Sequence, residues 1–343
     1  MQTLNENGQP VDRIVAYKVP HLGADYSGYE YAYTDDTLNG IMTKSDHKLD
    51  QGTGAIHETL NQIRKSNLTS TQGYICYNDE APESAKMKDD NELGHTKGVL
   101  AWDTETGVGF HMLHSWPKFF DEEAAEAPTP IYGQTFICQT LSIDTLRQLA
   151  SQMRNHQEPQ VFRSCVQGLS NDDPLTLLTK PYDEKIEPAF DVIDCETVGG
   201  KKFKYLAKNR QWNNNFWNRV SQELGCDMED ETWIRGAIAP ILSLDGKYRI
   251  ADIKFVNMGS MGIHVEFSEQ HDHAKWGISS DATKPWVVIA DINRMLSQEK
   301  RGGGGIAFLD ANIWASFSKA ARIDVPPGTT RDMVHAHLKK THK

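Results

Sequence analysis

The stretch "HDHAKWGIS" (271–279) sets His273 and Lys275 two positions apart at the head of an apolar run, and "GHTKGVLAWD" (94–103) does the same with His95 and Lys97. In an extended strand, residues i and i+2 project from one face, so each His-x-Lys aims an imidazole and an ammonium at one spot. His337-Leu-Lys339 is a third match, but it lies in the polar basic tail "VHAHLKKTHK" with no strand-like run behind it, and it reads as coincidence. The other two share a downstream layout. After Lys97 a β-like run ends at Asp103, a turn with Gly107 and Gly109 intervenes, and a second run ends in His114-Ser115, with His114 19 residues beyond His95. After Lys275 come "WGIS", a Lys-Pro turn and "PWVVIADIN", which reaches Asp291 and Asn293, 18 and 20 residues beyond His273.

The residue types suit phosphoryl chemistry. An imidazole serves as nucleophile or general acid, and a lysine beside it stabilises negative charge developing on phosphate. Two facing pairs would let one histidine attack phosphorus while the other protonates the leaving oxygen and then activates water. Two lysines would replace the cations of a two-metal site, so the reading includes no metal and no cofactor. His271, Asp272 and His273 on one short stretch do not supply the three or four converging ligands of a zinc site.

Bulk composition is that of an ordinary globular chain: 343 residues, 38% hydrophobic, 24% charged. A net charge of −11 argues against broad electrostatic binding of nucleic acid, so a polyanion site would be local, or strengthened below pH 7 as the 13 histidines gain charge. No run approaches the ~18 apolar residues needed to cross a membrane. The N-terminus lacks the charged-then-apolar pattern of a secretory signal. Five scattered cysteines without a C-x-x-C spacing argue against a zinc ribbon or a dense disulfide framework, leaving room for one or two bridges.

Strand-like runs recur at 13–19, 73–79, 98–102, 109–115 and 135–141, with a helical pattern over 54–66. The second half repeats the texture: "GAIAPILSL", "RIADIKFVNM", "GIHVEFSE", "KWGIS" and "PWVVIADIN" read as strands, and 204–224 as a helix. This mixture predicts an α/β (α+β) chain with a boundary near 150–185, divided as 1–155 and 156–343. "RGGGG" (301–305) reads as a loop, with backbone N–H groups presented to a phosphate as the alternative, and "SNDDPLTLLTKPYDEKIEP" (170–188) reads as a linker.

The double layout resembles the phospholipase D superfamily, with "ADIN" in the position of its downstream polar element and Glu299 as an acidic residue six positions on. The set "GQPVDRIVAYKVP", "YNDEAP", "GHTKGVLAWD", "LHSWPKF", "YGQTFIC", "DHAKW", "DINR" and "QEKRGGGG", in that order over residues 8 to 320, resembles the deoxyribonuclease II family more narrowly. The resemblance implies two phospholipase-D-like halves related by a pseudo-twofold, each a central mixed sheet flanked by helices, with one active site between them. It implies metal-independent cleavage of double-stranded DNA at acidic pH, leaving 3′-phosphate ends. Its essential residues fall on His95, Lys97, His114, His273 and Lys275, with His114 in the slot that Asn293 fills in the second half. Asp103, Ser115, Asp291, Asn293 and Glu299 become phosphate contacts or supports of the histidines. The cysteine pair and N-terminal cysteine of the vertebrate enzymes are missing, which leans toward a bacterial or divergent member. The expected compartment is secreted or periplasmic in a bacterium and lysosomal in a eukaryote, and the oligomeric state stays open between monomer and homodimer. A lipid phosphodiesterase and an inactive DNA-binding relic are the rival readings.

"KKFKYLAKNRQWNNNFWNR" (201–219) carries six basic residues, no acidic ones and five aromatics. Its Lys201, Lys202, Lys204, Lys208 and Arg210, with Arg294 of "DINR", are the expected DNA contacts, against the alternative of a helix burying Phe203, Leu206, Phe216 and Val220. Asn67-Leu-Thr69 is a glycosylation sequon with meaning only in a eukaryotic secretory host.

Overall fold

β-Branched and aromatic runs bounded by glycine and polar turns become strands, most of them buried on both faces. The computed structural model describes residues 1–64, 68–87, 93–121, 127–182 and 187–323. The third His-x-Lys, the basic tail and Asn67 of the sequon lie outside these residues. The first sheet comprises β1 (Arg13–Lys18), β2 (Glu30–Asp35), β3 (Thr43–Lys48), β4 (Gln72–Asn78), β5 (Lys97–Asp103), β6 (Val108–His114), β7 (Gln134–Ser142) and β8 (Val161–Cys165), in the order β3-β2-β1-β7-β6-β5-β4-β8. The second comprises β9 (Phe190–Glu196), β10 (Lys202–Lys208), β11 (Met228–Thr232), β12 (Ile250–Asp252), β15 (Lys275–Ser279), β16 (Trp286–Ala290) and β17 (Gly303–Leu309), in the order β12-β11-β15-β16-β17-β10-β9. A small third sheet joins β13 (Phe255–Asn257) to β14 (Glu266–Ser268) and β18 (Ala321–Arg322). The paired strands of the two large sheets are antiparallel except β11 with β12.

The two large sheets are the same pattern built twice. β5-β6-β7 is flanked by β4 on one side and β1 on the other, as β15-β16-β17 is flanked by β11 and β10. Each sheet is packed on both faces, which is why its strands read as near-continuous apolar runs. One core lies between the sheets and draws on both halves, with Tyr77, Leu100 and Ile137 from the first and Tyr205, Trp276 and Ile289 from the second. A second core covers the outer face of the first sheet with α1 (Ala55–Asn61), and a third covers that of the second sheet with α4 (Phe216–Leu224). Two further helices, α2 (Ile143–Gln152) and α5 (Ala311–Ala320), insert Leu146, Leu149, Ile313 and Phe317 into the central core.

Several expectations change. β8 pairs with β4, so the first sheet extends past residue 156 and the chain passes to the second only before Phe190. The expected linker contains a short helix, α3 (Pro174–Leu178), capped by Asp173. The stretch expected as one helix from 204 is half strand: β10 runs to Lys208, and α4 starts at Phe216, where the Asn215 side chain accepts the Trp217 N–H. "GAIAPILSL" forms only isolated bridges at Ile238 and Leu242. Gly303, Gly304 and Gly305 open strand β17 rather than a loop. All five cysteines are free thiols.

Candidate active site

Register in the ladders decides which residues of the halves correspond. Lys97 pairs with Asn78 and Gly98 with Leu113. Lys275 pairs with Thr232 and Trp276 with Ile289. Superposing Lys97 on Lys275 therefore matches Ser115 with Asp291, Gly133 with Gly302 at the head of the next strand, and His114 with Ala290. His114 is thus not the counterpart of Asn293, as the sequence suggested.

The two His-x-Lys pairs meet between the sheets, with imidazole centroids 6.4 Å apart. Each histidine is held by the opposite half. The His95 N–H donates to the Gly302 carbonyl (2.8 Å), and the His273 N–H to the Gly133 carbonyl (2.9 Å). His95 Nδ1 donates to the Asp291 carbonyl, and His273 Nδ1 to the Ser115 carbonyl at 3.0 Å. A carbonyl only accepts, so both rings carry their proton on Nδ1 and leave Nε2 for chemistry. Burial, with the charges of Lys275 and Lys97, depresses the His273 imidazole well below its ordinary value. His95 is depressed likewise, burial outweighing the nearby Asp79 carboxylate. Lys275 donates to the His273 carbonyl (2.6 Å), and burial beside Lys97 lowers its ammonium well below the usual lysine range.

Asp79, one residue beyond β4, completes the first half. Its carboxylate takes an ion pair from Lys97, another from Arg301 at 3.2 Å, and stands 4.0 Å from His95 Nε2. Burial pushes this carboxyl up, but His95, Lys97 and Arg301 outweigh it and hold it well below the carboxylate range. Beside His273 stand two half-buried rings, Trp233 at 4.7 Å and Tyr132 at 6.2 Å between centroids. Asp79, Arg301 and Tyr132 sit inside "YNDEAP", "QEKRGGGG" and "YGQTFIC", but nothing in their spacing ties them to the histidines; Trp233 carries no sequence signal.

The supporting residues divide. Asp291 is buried, its Oδ1 accepts the Gly304 N–H (2.8 Å), its Oδ2 has no partner, and burial raises its carboxyl to about 8. That bond also occupies the Gly304 N–H, which is not free for phosphate. Asn293 is buried with its Oδ1 unpartnered. Ser115 Oγ is engaged with Gln134 (2.6 Å) and the Thr135 N–H (3.0 Å), so its carbonyl is what reaches His273. His114, one step past the Gly98–Leu113 pair, lies across from Lys97; burial lowers it to about 3, and its Nε2 has no partner. Asp103 stands at the far end of β5, roughly 20 Å from Lys97 at strand rise. There it accepts from the Glu105 N–H and Gln72, so it is a turn residue and touches no part of the site. The Glu299 carbonyl accepts from Lys208 (2.8 Å).

The expected DNA contacts are mostly corrected. Lys208 is buried and donates to the Gln298, Glu299 and Arg301 carbonyls. Arg294 is buried, bidentate on Asp252, and also donates to the Ala239 and Pro240 carbonyls. Lys201 pairs with Asp36 (2.9 Å) and Lys204 with Asp194 (2.8 Å). Lys201, Lys202 and Lys204 line a cleft of about 820 Å³ at the end of β10 away from the histidines, shared with Asp194, Glu196 and Asp310. Arg210 lies 3.5 Å from the Glu158 carboxylate. Among the described residues no group of three or more His, Cys, Asp or Glu is placed to hold a metal ion, and no helix is long and apolar enough to cross a membrane.

The model of one family, Deoxyribonuclease II, matches residues 2–323. The chain is 43% identical to "Putative deoxyribonuclease-2" of Burkholderia pseudomallei, covering 99% of this chain and 97% of that one. It is 31% identical to "Deoxyribonuclease-2" of Caenorhabditis elegans, covering 92% of each. Among solved structures, a polyphosphate kinase from Porphyromonas gingivalis is similar at 10% identity and a TM-score of 0.32, covering 72% of this chain and 39% of that one; this likeness adds nothing to the fold argued from the ladders. Matched along nearly its whole length by the family model and by relatives above 30% identity, the chain belongs to the deoxyribonuclease II family and is a deoxyribonuclease.

Proposed function

We propose that the facing histidines hydrolyse DNA phosphodiesters by double displacement without a metal. The supporting observation is the pair of imidazoles 6.4 Å apart, each fixed through Nδ1 by a carbonyl of the other half. In the first step one Nε2 forms a bond to phosphorus as the bond to the 5′ oxygen breaks, and the second histidine gives that oxygen its proton. In the second step water, deprotonated by the second histidine, forms a P–O bond as the N–P bond breaks, releasing a 3′-phosphate end. Lys97 and Lys275 stabilise the equatorial oxygens throughout. Both rings are depressed by burial, so the second histidine gains its proton only in acid or through the charge of bound phosphate, which favours an acidic optimum. Contacts limited to phosphate would make cleavage of double-stranded DNA largely indifferent to sequence.

The test is plasmid nicking at about pH 5 in excess chelator with labelled ends, comparing His95→Ala and His273→Ala. Chelator-resistant nicking with 3′-phosphate ends, lost in both variants by at least ~10³-fold, is expected. Activity abolished by chelator, or retained by either variant, sinks the reading.

A further inference from the structure

The repeat is strict at the histidines, lysines and clamping carbonyls, and of the matched positions where it breaks, two stand together beside the histidines. The ladder register that matches Asn78 with Thr232 matches the next residues, Asp79 and Trp233. The matched glycines, Gly302 and Gly133, are preceded by Arg301 and Tyr132. Arg301 and Asp79 form an ion pair beside His95. At the equivalent place beside His273, Tyr132 and Trp233 form an aromatic pair with centroids 5.5 Å apart. The Trp233 indole N–H is buried without a partner, and the exposed Arg235 guanidinium lies 4.9 Å from the indole ring.

We propose that Tyr132 and Trp233 are a nucleobase platform, seating one unstacked base next to the scissile phosphate on the His273 side, with Arg235 against the neighbouring phosphate. This rests on the reading of the site as a phosphodiester hydrolase. Every base presents a π-face, so an aromatic pair holds a base without reading its identity. An ion pair at the equivalent position offers no such surface, so the broken symmetry gives a symmetric catalytic core a direction along the strand. A base within an intact duplex does not reach the platform, so on double-stranded DNA the platform is engaged where a step opens at the scissile phosphate.

The test is binding in a His95→Ala background, which stops turnover. Short oligothymidylate is compared with the same backbone carrying abasic residues, in the presence and absence of Trp233→Ala. The expected base-over-abasic preference is about 5- to 150-fold, the equivalent of ~1–3 kcal/mol of base–aromatic stacking. It collapses in Trp233→Ala and is restored within a few-fold by Trp233→Phe. A preference that survives Trp233→Ala, an equal weakening of both ligands, or no preference at all overturns the platform. Nicking by the chain with both histidines intact is read separately, so failure of the platform and failure of the hydrolytic reading are told apart.

Discussion

His95 Nδ1 donates to the backbone carbonyl of Asp291, a residue of the other half, 196 positions away in the chain. The imidazole is thus oriented by a strand end that no local sequence could supply, and His273 is oriented by Ser115 in return. The geometry of the candidate site and the packing of the two sheets are one structural event, and in it side chains and backbone play separable parts.

Ser115 acts through its carbonyl. Ser115→Ala removes the hydroxyl bonded to Gln134 and the Thr135 N–H, so stability falls by about 1–3 kcal/mol. kcat changes less than threefold, because the acceptor on His273 remains. Chemical denaturation and nicking rates check the two halves of this statement; a hundredfold loss of kcat would make the hydroxyl itself part of the chemistry.

Gly302 has no room for a side chain, since a Cβ would collide with the Gln157 carbonyl oxygen. Gly302→Ala must move backbone that binds the His95 N–H. We expect destabilisation of at least ~1–3 kcal/mol with loss of most activity. Thermal melting and nicking measured on the folded fraction show whether activity is lost beyond the stability effect.

Asp79→Asn removes the negative charge that favours protonated His95. The limb of the kcat/KM–pH profile set by His95 moves to lower pH, and activity at pH 7 falls by roughly 10²-fold, the scale of a general acid–base contribution. Removing one partner from a buried ion-pair cluster also costs about 3–5 kcal/mol of stability. A profile of unchanged shape would show that Asp79 only positions Lys97 and Arg301.

Asp291 is raised by burial to about 8, whereas an unfolded chain's aspartate titrates near 3.9. The folded state holds a proton that the unfolded state has lost, so this contribution is full below about pH 4. It drains at up to about 1.4 kcal/mol per pH unit until about pH 8. Asp291→Asn cannot titrate and keeps an acceptor for Gly304. Relative to the wild type, its melting temperature therefore rises as pH goes from 4.5 to 8. Parallel melting curves for the two proteins across that range would count against the buried, protonated carboxyl.

Lys202→Ala and Lys204→Ala leave nicking unchanged within about twofold, because these residues flank a cleft at the end of the sheet away from the histidines. Arg294→Met is destabilising instead, by about 3–5 kcal/mol, because Asp252 is left without its buried partner. Salt-dependent nicking rates and denaturation midpoints check each. A loss of DNA affinity in either lysine variant would restore the basic strand as a contact surface.

The local signals were strong where one periodicity ruled. β1, β4, β5, β6 and β7 stand where alternating or apolar runs put them, and the two His-x-Lys pairs were visible because chemistry and strand spacing coincide within three residues. The basic segment after Lys201 failed because charge counts do not show depth. Lys208 lies within the sheet, and three carbonyls satisfy its ammonium, an arrangement set by residues some ninety positions away. The RGGGG stretch failed for a related reason: Gly302 and Gly304 answer the close approach of Gln157, and Gly303 and Gly305 that of Ile292 and Ala290, rather than a need for turn flexibility.

By itself the sequence determined the residue types of the candidate site, the doubling of the motif, the strand content and the family, because these depend on neighbours a few positions apart. The tertiary structure decided the rest. Ladder register paired Ser115 with Asp291 and moved His114 out of the Asn293 slot. Packing of the two sheets placed each half's carbonyls on the other's histidine. It also set Asp79 with Arg301 against Trp233 with Tyr132 at equivalent positions, a difference that appears only once the two halves are superposed in space.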